Sequence, residues 1–228
     1  MSDNIIMEAI DLKRGFPMGG NLFWAVNGIS LTIATNKLTI LKGRSGSGKT
    51  TLMNMLGTLD YPTSGDIMFD GESITKLSDK NRDRLRRTNI GFVFQSTALI
   101  GMMTAFENVD FILRINGYPA KDRKKRVEAC LERVGLAARM HHLPPELSGG
   151  EQQRVAIARA IAHKPKIIFA DEPTAELDTN TGLQVVKIFK DLIEYEGSTI
   201  VMTTHDPGLM EVADKVYELA DGVVINEL

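Results

Sequence analysis

Four segments of the chain are almost uninterruptedly apolar: KLTILKG (37–43), IGFVFQ (90–95), KIIFADE (166–172) and STIVMTTH (198–205). A strand with one wet face alternates apolar and polar residues, whereas a strand covered on both faces does not, so these four predict a parallel sheet. Helical patterns separate them, which makes the core an α/β fold. The beginning of the chain reads differently. IIMEAIDLKRGF and GISLTIAT are short and alternating, are divided by the Gly-rich FPMGGN, and are joined later by DIMFDG, predicting an N-terminal antiparallel β subdomain. Between the second and third apolar strands, roughly 104–163 is predominantly helical. There KDRKKRVEACLERVG places Val127, Leu131 and Val134 on one face. The expected organisation is a single domain over 1–228, with a core from 1–95 and 164–228 and a helical subdomain inserted at 96–163. VYELADGVVINEL at the end predicts a hairpin turning at Asp221 and Gly222.

Composition narrows the function without choosing it. A net charge of −2 provides no global field toward nucleic acid or anionic lipid. The basic runs RDRLRR (82–87) and KDRKKR (121–126) sit among acids in helical patterns and read as solvated helix faces, so no nucleic-acid partner is expected. A lone Cys130 excludes an internal disulfide and fits a reducing compartment; with no adjacent His it is not a nucleophile. Neither a signal-like leader nor an apolar run of membrane-spanning length is present, so the expectation is a cytoplasmic chain that meets a membrane only through a partner.

Chemistry gathers at the strand ends. Residues 43–50, GRSGSGKT, fit the phosphate-loop pattern G-x-x-x-x-G-K-[ST] and lie between an apolar strand and the helical TTLMNMLGTL. Gly43, Gly46 and Gly48 let the loop, with Arg44, Ser45 and Ser47, turn its N–H groups inward around phosphate oxygens. Lys49 supplies a point charge, Thr50 a hydroxyl ligand for Mg²⁺, and Thr51 continues the helix whose positive end faces the same place. The second apolar strand ends in Gln95, the third in Asp171 and Glu172, and the fourth in His205. In open parallel sheets ligands bind at that edge. Asp171 is the expected metal-holding acid opposite Thr50. Glu172, which metal binding does not require, is the candidate general base for an attacking water. Gln95 can touch both metal and water, and His205 can donate to the terminal phosphate as its charge shifts.

A second Gly-rich stretch, LSGGEQQR (147–154), follows a hundred residues later. Ser148 and Glu151 make a capping box for the helix EQQRVAIARAIAHK. That box does not explain Gly149 and Gly150, each of which weakens a helix by up to about 1 kcal/mol relative to Ala. Bare backbone beside a serine hydroxyl at a helix N-terminus suits an anion, so both glycines are read as exposing the helix end to phosphate.

Taken together, GRSGSGKT, Gln95, LSGGEQQR, IIFADEP, AELD and His205 resemble, over essentially the whole chain, an ABC-transporter ATPase. The resemblance implies a P-loop NTPase core of RecA type, ATP and Mg²⁺ as ligands, and hydrolysis to ADP and phosphate. It implies a head-to-tail pair in which Ser148, Gly149, Gly150 and Glu151 of one subunit close the ATP site of a second ATPase subunit, with Asp178 in the loop running between the two sites. It also implies an early aromatic stacked on adenine; Phe16 sits where that residue is expected, with Phe23 and Trp24 as rivals. The stretches FPMGG, GKTTLMNMLGTLDYPTSGDIMFDG and GFVFQSTALIGMMTAFENV are similar to the macrolide-exporter and lipoprotein-release branch (MacB and LolD), whose partner is a transmembrane permease with a large extracytoplasmic domain. Such a subunit lies on the inner face of the membrane and drives export or mechanotransmission, or regulates a membrane partner. Two stretches depart from that branch: STALIG after Gln95, where a permease would be touched, and Ala175 in PTAELD. Soluble ABC proteins of DNA repair or translation carry long insertions or two ATPase halves, and this chain has neither.

Overall fold

The computed structural model describes residues 4–204 and 210–228. Two sheets organise it. Strands β1 (Ile5–Met18), β2 (Asn21–Ala34), β4 (Ser64–Phe69) and β5 (Glu72–Ser73) form an antiparallel sheet in the order β2-β1-β4-β5. The second sheet runs β10-β9-β3-β8-β7-β6, from β10 (Val223–Glu227), β9 (Lys215–Ala220), β3 (Leu38–Lys42), β8 (Thr199–Thr203) and β7 (Ile167–Asp171) to β6 (Ile90–Val93). All its pairs are parallel except β9 with β10, which turn at Asp221 and Gly222.

The apolar runs have a direct physical cause. Neighbouring residues of each central strand enter opposite cores. Ile40, Ile168, Ala170, Ile200 and Met202 pack with the helices of one face, while Leu41, Ile167, Phe169 and Val201 pack with the antiparallel sheet and α1 (Lys49–Leu56) on the other. On the first face, α3 (Ala105–Ile115), α4 (Ala120–Arg133) and α5 (Gly149–Ile161) share a core through Val109, Leu113, Val127, Leu131 and Val155, all fully buried. Among the described residues, no helix is long and apolar enough to cross a membrane.

Two expectations need correcting. FPMGGN is not a connecting loop: β1 and β2 continue through it, pairing Phe16 with Phe23 and Met18 with Asn21, and only Gly19 and Gly20, at φ 56° and 83°, make the turn. A two-residue turn with positive φ at both positions matches the right-handed twist of the strands, so the pairing extends to its limit. Nor are the basic runs solvated throughout. Arg82, on α2 (Asp79–Asn89), is only 2% exposed; it donates to Thr58 O (3.0 Å) and Asp60 O (2.6 Å) and lies 3.7 Å over the Tyr61 ring. Arg126 donates to Ile161 O and Ala162 O at the end of α5. Withdrawing these guanidinium groups from water is tolerable because carbonyl dipoles, and for Arg82 a ring face, replace it.

Candidate functional site

The C-terminal ends of β3, β6, β7 and β8 lie at one edge of the sheet, and the loop after β3 is held there by close backbone contacts. A side chain on Gly43 would come within 2.3 Å of Leu219 O, and one on Gly48 within 2.3 Å of Ala25 O. Gly48 also has φ 99°, so the residue opening α1 must be glycine for two independent reasons. The loop is thus wedged between β2 and the β9–β10 hairpin, whose Gly222 N–H donates to Ser47 O (3.2 Å). Lys49, 5% exposed, folds over the loop and donates to Gly43 O (2.7 Å) and Arg44 O (3.1 Å). Burial lowers its pKa, opposed by the charges of Glu172 and Asp171. The Ser47 hydroxyl is buried without a hydrogen-bond partner among the described residues.

Opposite the loop, Asp171 uses both carboxylate oxygens. Oδ2 accepts from the Thr50 hydroxyl (3.0 Å) and Oδ1 from the Thr203 hydroxyl (2.6 Å). The next residue, Glu172, has φ 44°, a sparsely populated region for a long side chain. Its N–H donates to Thr203 Oγ1 (2.8 Å). Glu172 and Gln95 line a cleft of about 590 Å³ together with Ser45, Gly46, Gly48, Lys49, Thr50 and Thr51. Gly43, Arg44 and Ser47 belong to the loop without lining the cleft, and Gln95 stands two residues beyond the end of β6.

Phe16 and Phe23, paired across the hairpin, form the far wall of that cleft with Ala25; Trp24 is not part of it. The Arg14 guanidinium lies 4.6 Å over the Phe16 ring and is held by two bonds to Asp60 (2.8 and 2.9 Å). One face of Phe16 is therefore backed by a cation.

The second Gly-rich stretch lies elsewhere. Ser148 caps α5, with Oγ accepting from Glu151 N (3.2 Å) while Glu151 Oε2 accepts from Ser148 N (2.8 Å), a bond that holds the Glu151 carboxyl below its ordinary range. Its two glycines answer to different constraints. Gly149 is exposed, with nothing near its missing side chain, whereas Gly150 is buried and a Cβ there would lie 2.3 Å from Thr181 Cγ2. Packing thus accounts for a glycine at 150, whereas no neighbour among the described residues requires one at 149. Gly150 is required by the approach of α6 (Thr179–Glu196). Asp178 caps α6, accepting from Asn180 N, Thr181 N and Thr181 Oγ1, and these bonds lower its pKa. None of Ser148, Gly149, Gly150, Glu151 and Asp178 lines the phosphate-loop cleft. His205 lies outside the described residues.

Sequence reasoning missed Thr203, Arg14 and Asp60. A hydroxyl at the tip of an apolar strand was the available signal for Thr203; nothing local marks the Arg14–Asp60 pair, whose members are 46 residues apart.

Residues 26–175 match the family described as ABC transporter. The chain is 43% identical over 230 residues to the lipoprotein-releasing system ATP-binding protein LolD 2 of Rhodopirellula baltica, covering 98% of this chain and 90% of that one. It is also 43% identical to the macrolide export ATP-binding/permease protein MacB of Syntrophobacter fumaroxidans over 96% of this chain, but spans only 31% of that longer protein. Among solved structures, the dimeric post-hydrolysis state of the ATP-binding cassette MJ0796 bound to ADP and Pi superposes with a TM-score of 0.91 at 37% identity, covering 98% of both chains.

Proposed function

This chain belongs to the ABC transporter family and is an ATPase, and from that premise we propose that it works as one half of an ATP-closed, head-to-tail pair that drives a transmembrane permease. The observation that carries the pairing is the separation of its two Gly-rich stretches. The phosphate loop opens on a cleft that Ser148, exposed Gly149 and Glu151 do not reach, so the capped end of α5 is free to close the equivalent cleft of a second copy. The relative bound to ADP and Pi is itself dimeric, which supports the reading.

Within each cleft, Phe16 and Phe23 offer ring faces to adenine, and the loop N–H groups with Lys49 take the phosphates. Lys49 now satisfies itself on Gly43 and Arg44 carbonyls and exchanges them for phosphate oxygens when ATP enters. Thr50 and Asp171, an all-oxygen pair, would hold Mg²⁺, which would neutralise phosphate charge there. Glu172 orients and deprotonates the attacking water, with Gln95 on the same cleft, and His205, outside the described residues, is the candidate donor to the terminal phosphate.

For the permease contact we propose a separate cavity of about 380 Å³ between α2, β6, α3 and α5. Phe94 and Ala98 flank Gln95 in sequence and line this cavity with Phe92, Ile112 and Ile115, so a helix seated there would press directly on the segment that carries Gln95. The chain would then sit on the inner face of the membrane, beneath a permease with a large extracytoplasmic domain, and export or mechanotransmission would follow from opening and closing of the pair. The test is Glu172→Gln against Lys49→Ala. The first should accumulate as an ATP-dependent dimer in size-exclusion chromatography with hydrolysis lowered by two orders of magnitude or so, and the second should bind nucleotide weakly and stay monomeric. Wild-type turnover by Glu172→Gln would remove Glu172 from this role.

A further inference from the structure

We infer that Thr203 is a positioning residue of the hydrolytic site, setting both the carboxylate of Asp171 and the backbone of Glu172. This rests on the ATPase reading above. Thr203 is the last residue of β8 and the register partner of Asp171 in the parallel β7–β8 pair. It is fully buried, in a strand whose other members are Thr199, Ile200, Val201 and Met202. For strand packing alone, valine would serve as well in shape and β-propensity, without a hydroxyl to desolvate.

The hydroxyl both donates and accepts, and both of its bonds go to neighbouring site residues. Its one proton goes to Asp171 Oδ1 (2.6 Å) and its lone pair accepts from Glu172 N–H (2.8 Å). Since Asp171 Oδ2 faces the Thr50 hydroxyl, the Thr203 bond fixes the rotation of the carboxylate and with it the oxygen presented to the metal position. The second bond solves a different problem. Strand β7 ends at Asp171, and Glu172 turns away at φ 44°. Leaving the strand takes its N–H out of the ladder, and a half-buried N–H needs another acceptor. Thr203 Oγ1 is that acceptor, so the strained turn that aims Glu172 into the cleft is pinned by a side chain. One hydroxyl thereby ties the metal-facing acid and the base to a common strand.

The test compares Thr203→Val with Thr203→Ser in the full chain. Outer groups that orient metal ligands typically contribute about 10–100-fold in metal affinity or activity. Thr203→Val should bind ATP in EDTA as the wild type does, because loop and aromatic wall are untouched. It should need about 10-fold or more Mg²⁺ for half-maximal nucleotide binding, measured by quenching of a fluorescent ATP analogue, and lose about 10–100-fold in kcat with KM for ATP little changed. Thr203→Ser should restore both. If Thr203→Val keeps the wild-type Mg²⁺ midpoint and kcat, the inference is wrong, as it is if Thr203→Ser fails to rescue. A lowered Tm with an unmoved Mg²⁺ midpoint would make Thr203 structural only. Should the valine variant not fold, Thr203→Cys, similar in volume and a poor donor, carries the same comparison with the same two outcomes. Failure of the ATPase reading itself is distinct: wild-type protein would then show no Mg²⁺-dependent hydrolysis at all.

Discussion

Gly149 and Gly150 look equivalent in the sequence and should behave oppositely under the same substitution. In Gly150→Ala the new Cβ would lie 2.3 Å from Thr181 Cγ2, about 1 Å closer than the 3.4 Å at which ordinary contact begins. Thr181 cannot swing aside without loss, because its hydroxyl bonds to Asp178 Oδ2 (2.6 Å) as part of the cap on α6. Either α5 and α6 separate or the cap breaks. Overpacking of this kind costs about 1–3 kcal/mol, against which alanine's better helix propensity returns at most about 1 kcal/mol. For a chain of this size that corresponds to a Tm lower by roughly 2–12 °C before the offset. Gly149→Ala meets nothing within 4 Å and should be neutral or stabilising by up to about 1 kcal/mol. Urea unfolding of both variants and of Gly150→Ala/Thr181→Ser supplies the measurement, since serine keeps the capping hydroxyl and deletes Cγ2. The double variant should recover most of the loss, with a coupling of about 1–3 kcal/mol. Equal stability changes for the two alanine variants, or no relief from Thr181→Ser, would refute the packing account.

Phe16→Ala should weaken ATP binding by about 5–150-fold, the equivalent of about 1–3 kcal/mol of stacking, with Trp24→Ala near wild type; titration of nucleotide fluorescence compares them. Arg159→Met removes bonds to Ala98 O (2.6 Å) and Thr97 O (2.8 Å) and should lower stability by about 1.5–3 kcal/mol while speeding amide exchange at 96–98. His163 has its Nε2 on Ile90 O and a buried Nδ1 with no partner among the described residues, and burial pushes its pKa below the ordinary 6.5. The unfolded chain therefore takes up the proton first. Its contribution is complete above about pH 6.5 and is lost as pH falls toward the folded pKa, so His163→Gln should flatten the decline of Tm below about pH 6.5.

The parallel sheet was legible because burial on both faces leaves a one-dimensional trace: residues facing opposite cores are adjacent in sequence and all apolar. The phosphate loop was legible for a similar reason. Its chemistry is local, completed within eight residues by a backbone that only glycine permits at Gly48 and by a lysine at a set distance along the chain. The capping box at Ser148 and Glu151 is local too, and it formed as its spacing required.

What the sequence could not convey is every property defined by a neighbour far along the chain. Arg82 looked solvated because its carbonyl partners, Thr58 and Asp60, carry no side-chain signal of that contact. Gly150 looked like exposed backbone because Thr181, which forbids a side chain there, arrives from another helix. Thr203 looked like an ordinary strand residue until its register beside Asp171 placed one hydroxyl between an acid and the N–H of Glu172. Residue type and local spacing therefore determined which groups this protein carries and where its strands end. The packing of elements distant in sequence decided which of those groups are buried, which are held rigid, and which remain exposed.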